Sequence, residues 1–139
     1  MYSNEDRQLA KKILEFSCEL EKGQNVMLQL VGLNGIGLLR ALVAHAREME
    51  VNPYVQIEDT EIRRLLVETG DKEFWQGQAE NDQLPLMKKM DAFVGIRAAL
   101  NIYEQADVSK KANKAYADHF VDPVHYKERV NNTNWVVLR

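Results

Sequence analysis

The chain has 139 residues, with 21 acidic against 18 basic side chains, a formal net charge of −3 and one cysteine. That is the length of one domain with a single core, and no basic block or stripe is present that could neutralise a nucleic-acid backbone. No apolar run reaches the roughly 18 residues of a membrane helix, and the N-terminus MYSNEDRQ lacks the plan of a signal peptide, so a soluble, cytoplasmic chain with no nucleic-acid or membrane partner is expected.

Leu9, Ile13, Phe16 and Leu20 recur at helical spacing and predict an opening helix, with Gly23 as its left-handed stop. Cys18 falls inside that pattern, which predicts a buried thiol and no redox chemistry. Asn25 to Val31 reads as a strand over Val26 to Leu30, followed by a turn through Gly32, Asn34-Gly35 and Gly37. A helix then opens near Ile36, with Leu38, Leu39, Leu42, Val43, Ala46 and Met49 as a wide apolar stripe and His45 on its shoulder as a partly buried packing residue.

Asn52-Pro53 breaks that helix, and Tyr54 to Ile57 is a second strand ending in Glu58 and Asp59; strand, helix, strand in this order is a right-handed crossover unit. Thr60 is placed to cap a helix through Leu66 that Gly70 stops, and Asp71 to cap another carrying Phe74, Trp75 and Ala79. Pro85 starts a short helical segment that turns Leu84, Met87 and Met90 inward. Ala92 to Ile96 is apolar on both faces, as a central strand covered by helices on each side requires. Asp107 or Ser109 caps a helix to about Ala117, Asp122-Pro123 starts another that ends at Asn131 to Asn134, and Trp135 to Leu138 is the fourth strand.

Strands alternating with helices predict a single α/β domain over residues 1–139: a mainly parallel sheet of about four strands with helices on both faces, a Rossmann-like three-layer sandwich. The first strand is expected between the second and third. Ligands of open α/β sheets gather at the carboxyl ends of central strands, which singles out Arg97 and Asn101 as candidate substrate-binding residues. An arginine there either clamps a carboxylate or ties a neighbouring loop.

Other chemistry is thinly supported. The Gly32, Gly35, Gly37 spacing matches neither common nucleotide fingerprint, and a plain strand-to-helix turn is the simpler reading. His119, Asp122, His125 and Glu128 have the right chemistry for zinc or manganese, but only His125 and Glu128 lie one helical turn apart. No serine sits in a G-x-S-x-G elbow: Ser3 and Ser17 belong to the first helix and Ser109 is a cap. Glu58 and Asp59 suit either a carboxylate role or an ordinary polar strand exit. No catalytic and no metal-ligating residue is expected in this chain.

Three stretches carry a family likeness: KGQNVML leading into the first strand, DAFVGIRAALN, and the closing VHYKERVNNTNWVVLR. Together they resemble the N-terminal domain of the thermophilic metallo-aminopeptidases, the family of aminopeptidase T and aminopeptidase S. The resemblance implies a longer parent enzyme, homodimeric, that removes N-terminal residues from peptides. It also implies divalent metal ions (zinc, cobalt or manganese) held by a larger C-terminal domain that this chain lacks, so these residues alone should be inactive. A chain stopping at the end of an apolar strand fits such a continuation. The Gly32 to Gly37 turn departs from the family's proline- and acid-containing loop. The alternative is a free-standing α/β module that binds a small anionic ligand at the strand ends through Arg97 and the Gly32 to Gly37 turn.

Overall fold

The computed structural model describes residues 1–97 and 108–138. Its centre is a sheet of four parallel strands, β1 (Asn25–Val31), β2 (Asn52–Glu58), β3 (Ala92–Arg97) and β4 (Asn134–Leu138), in the order β2-β1-β3-β4. The first strand lies between the second and third, as the sequence predicts. β1 and β3 read as continuous apolar runs because they are central and covered on both faces, whereas β2 tolerates Pro53 because it is an edge strand.

Helices cover both faces. Helices α1 (Asn4–Lys12) and α2 (Ile36–Glu48) pack on one side, where Ala10, Ile13, Leu14, Leu39, Leu42 and Ala46 meet Val26, Leu28, Leu30, Ala92, Val94 and Ile96 of the sheet. On the other side lie α3 (Thr60–Thr69), α4 (Lys72–Gln78), α5 (Leu84–Met87) and α6 (Lys110–Tyr116), the last continuing into a wide π-helical segment, Ala117–Arg129. Met27 and Phe93 of the sheet pack there against Ala79, Met87, Met90 and Val124. Trp75, Val67 and Val108 form a smaller apolar cluster beside them.

Several local expectations give way to what packing requires. Leu9, in the regular part of the helix, is exposed because α1 buries Ala10, and Phe16 is 70% exposed where the chain widens into a π-helical turn over Ile13–Ser17 that brings Leu14 and Cys18 inward instead. The helix ends there, so Gly23 is not its stop; with φ of +88°, Gly23 turns the chain into β1, and its N–H donates to the Glu50 carbonyl at 2.9 Å. Asp59, not Thr60, caps α3, its Oδ2 accepting from the Ile62 N–H at 3.1 Å. Gly70 does end α3 as its C-cap, its N–H donating to the Leu66 carbonyl, but with an ordinary φ of −78°; a Cβ there would lie 2.8 Å from the Leu66 carbonyl oxygen and 2.6 Å from the Trp75 indole nitrogen. No new helix begins at Pro123, which the widened segment carries in its interior, and Asp122 pairs with Lys127 at 3.2 Å. Asp71 and Ser109 do cap α4 and α6 through the Phe74 and Ala112 N–H groups.

Because the central and edge strands are buried unequally, truncations at facing positions should separate them. Leu28→Ala, in the fully buried centre of the sheet, should cost about 2–5 kcal/mol, while Val55→Ala on the half-exposed edge strand should stay within about 0.5 kcal/mol. Urea unfolding midpoints of the two variants check this.

Candidate functional site

Strand order places the site. The chain leaves β1 toward β2 on one side and then crosses to β3 on the other, so the crossovers diverge at the carboxyl ends of β1 and β3. A crevice opens at such a reversal. Register then fixes which side chains share it. Gln29 lies opposite Gln56 and Gly95, and Val31 lies opposite Glu58 and Arg97. Residues two apart share a sheet face, so Gln29, Gln56, Glu58, Gly95 and Arg97 all stand on the side covered by α3 to α6. Toward the strand ends that face turns from apolar to polar.

These groups are bonded to one another. Arg97 Nη1 donates to Gln29 Oε1 at 2.5 Å, tying the end of β3 to β1. Gln29, only 1% exposed, donates from Nε2 to Gln56 Oε1 at 3.3 Å and to Glu58 Oε1 at 3.4 Å. Arg63, from the first turn of α3, pairs with Glu58 at 2.6 Å. Opposite them, Arg129 from the π-helical segment donates from Nη2 to Gln83 Oε1 at 2.8 Å, and its guanidinium lies 4.2 Å from the Phe93 ring centroid.

Between these groups is a cleft of about 400 Å³, lined among others by Arg63, Arg97, Arg129, Tyr116, His125 and Trp135. A second, of about 240 Å³, shares Arg63, Tyr116 and Phe120 and reaches Glu58 and Gln83. The electrostatics follow from crowding cations in a dry place. Burial, and after it the charge of Arg97, lowers the Arg129 pKa to about 10, which registers the cost of holding that guanidinium charged. Burial likewise raises the Tyr116 phenol above its usual range and keeps it a neutral hydrogen-bonding group.

Of the residues singled out by sequence, Arg97 lines this cleft, and Asn101 lies outside the described residues. Two of the turn's glycines have local roles: Gly32 has a φ of +86° and its N–H donates to the Glu58 carbonyl, and a Cβ on Gly37 would lie 2.7 Å from Asp6 Oδ2. Three of the four candidate metal ligands have separate surroundings. His125 faces the cleft, Asp122 pairs with Lys127, and Glu128 accepts from Asn132. Among the described residues no group of three or more His, Cys, Asp or Glu could hold a metal ion. Likewise, no described helix is long and apolar enough to cross a membrane. His45 packs partly buried against Glu15 at 2.8 Å, and Asp59 serves as a cap. Arg63, Arg129, Gln29 and Gln83 were not legible as site residues. Gln29 carried one signal, an amide inside an otherwise apolar strand, which requires a buried partner.

Fold and site together define a three-layer parallel α/β domain with an arginine-rich cleft at its strand ends. Among solved structures it is similar to wild-type AmpT from Thermus thermophilus, an aminopeptidase T, with a TM-score of 0.67 and 18% identity over 96% of this chain. The match covers 35% of the AmpT chain, and at this identity it shows a shared fold. No family model and no curated protein matches the sequence.

Two outcomes follow from the buried groups. Gln83→Leu should cost about 1.5–3 kcal/mol by stranding the Arg129 Nη2 donor, and the double variant with Arg129→Met should recover most of it; urea unfolding of a double-mutant cycle reads this. Cys18 is buried, and its thiol is pushed from 9.0 up to about 11 by desolvation. The unfolded thiol ionises first, so the unfolded chain binds fewer protons than the folded one between those values. Stability should therefore fall as pH rises from 9 toward 11, and Cys18→Ala should flatten that part of the thermal-melting profile.

Proposed function

We propose that this chain is the N-terminal domain of a metal-dependent aminopeptidase that removes N-terminal residues from peptides. The observation carrying the proposal is the correspondence with AmpT over 96% of the chain, in a fold whose strand-end cleft is suited to a ligand. Since the chain spans only 35% of that protein's length, the catalytic groups are assigned to the part without a counterpart here. The described residues do not fit a divalent ion, so zinc, cobalt or manganese would be held in that part as well. In this reading Arg97, with Asn101 after it, forms a wall of the substrate site, and the whole enzyme is a cytoplasmic homodimer.

The alternative is a free-standing module that binds an anion through Arg97 and the Gly32 to Gly37 turn, two glycines of which also have packing or backbone roles of their own. Gly37 lies against Asp6 of α1, and the Gly32 N–H donates to the Glu58 carbonyl.

The proposal has a direct assay. Residues 1–139 alone should turn over no leucyl or other aminoacyl substrate with zinc, cobalt or manganese supplied, while a chain extended through a metal-bearing C-terminal domain should be active. Metal-dependent turnover by the short chain, or an inert extended one, overturns it. In the active form Arg97→Ala should raise KM if the side chain grips substrate, and lower the melting temperature with KM unchanged if it serves only to tie β3 to β1.

A further inference from the structure

Among the described residues the buried charge of Arg129 in the cleft has no carboxylate partner. Arg129 is only 4% exposed, yet its Nε has no hydrogen-bond partner and its Nη2 is bonded to a neutral amide. No carboxylate among the described residues lies within ion-pairing distance of it. Glu58, a carboxylate at the strand ends, is already committed to Arg63 at 2.6 Å. A buried guanidinium without a counter-ion is unfavourable, and replacing such a charge with an apolar side chain commonly stabilises a protein. A ligand that brings the missing anion would remove that cost on binding.

We infer that the strand-end cleft is a carboxylate site, in which Arg129, with Arg63 and Tyr116 beside it, holds the free C-terminal carboxylate of a short peptide. This rests on the peptidase reading and narrows it to a substrate class. Two observations select a monocarboxylate with apolar substituents over a phosphorylated ligand. The Arg63 charge is already balanced, so Arg129 calls for a single negative charge, and a guanidinium fork matches the two oxygens of a carboxylate. Much of the remaining wall is aromatic or aliphatic, with Phe120, Tyr126 and Trp135 beside Arg97 and His125, around a space of about 400 Å³, within the size range of small-ligand pockets. The apolar and aromatic part of such a wall suits peptide side chains better than the additional oxygens of a phosphate.

Isothermal titration of the 139-residue protein with leucyl-leucine, leucyl-leucinamide and inorganic phosphate tests the inference. The dipeptide should bind at least tenfold more tightly than its amide and than phosphate. Arg129→Met should remove at least tenfold of that affinity, and so should Arg129→Met combined with Gln83→Leu, which leaves no buried polar atom of the pair unmatched. The urea midpoint of the double variant shows that the fold is retained. Equal affinity for dipeptide and amide, phosphate binding as tight as the dipeptide, no measurable binding of any probe, or full affinity in the double variant would each overturn the inference. The peptidase reading is judged separately. An extended chain that hydrolyses leucyl-leucinamide as fast as leucyl-leucine would overturn the carboxylate site and leave that reading intact, whereas carboxylate-selective binding with an inert extended chain would do the reverse.

Discussion

The missing side chain at Gly95 is the constraint on which the strand-end site depends. Phe93, Gly95 and Arg97 stand on the same face of β3, and the Arg97 side chain lies back over the glycine. A Cβ at position 95 would come within 3.2 Å of Arg97 Nη1, 3.3 Å of its Cζ and 3.1 Å of the Phe93 ring. Only with that space open can the guanidinium reach Gln29, which is the cross-strand neighbour of Gly95. Gln29 in turn orients Gln56 and Glu58, and Glu58 holds Arg63. An amide as buried as Gln29 would cost about 1–3 kcal/mol without partners, so the chain of bonds is also what makes a polar residue tolerable in the middle of β1.

The two faces of the sheet consequently differ in kind. One is dry along its length, with Leu28, Leu30, Val94 and Ile96 closed over by α1 and α2. The other begins dry, around Met27 and Phe93, and becomes polar two residues further along each strand. Apolar residues at Gln29, Arg97 and Arg129 would give an ordinary core in place of a cleft. Three arginines gathered at one end of a sheet raise the electrostatic energy of the fold, and functional sites are where such costs are tolerated.

The sequence discloses the architecture because the central strands are apolar on both faces and the turns between elements are marked by Gly, Pro, Asp and Asn. It discloses Arg97 for a related reason, since a charge directly after a buried strand breaks an otherwise uniform pattern. Arg129 is hidden. It lies in KERVNN, where Lys127, Glu128 and Arg129 look alike and only the helical phase decides which one turns inward. That phase is altered by the i→i+5 winding of Ala117–Arg129, just as the winding of Ile13–Ser17 turns Phe16 outward and Leu14 inward. Periodicity assumes 3.6 residues per turn, so a widened helix defeats it at the positions that follow. Arg63 and Gln83 are concealed differently: each is an ordinary polar residue on its own helix and acquires meaning only through a partner from another element.

Edge strand β2 has a bearing on how the molecule meets its own copies. The Asn52 N–H bonds inward to Gln24, so by alternation Asn52, Tyr54, Gln56 and Glu58 direct their amides toward β1, while Pro53, Val55 and Ile57 occupy the outward-directed positions. Proline removes one of those outward donors, and two are left beside side chains that are about half exposed. Tyr54 adds a further exposed apolar surface on the opposite face of the same strand, and Ile62 and Leu65 of α3 are exposed as well. A strand with an exposed apolar face at Val55 and Ile57 and one unpaired side is a template for adding another strand. In concentrated solution this margin is therefore where self-association and fibre growth would start, and a lysine in place of Val55 would block that route without entering the core.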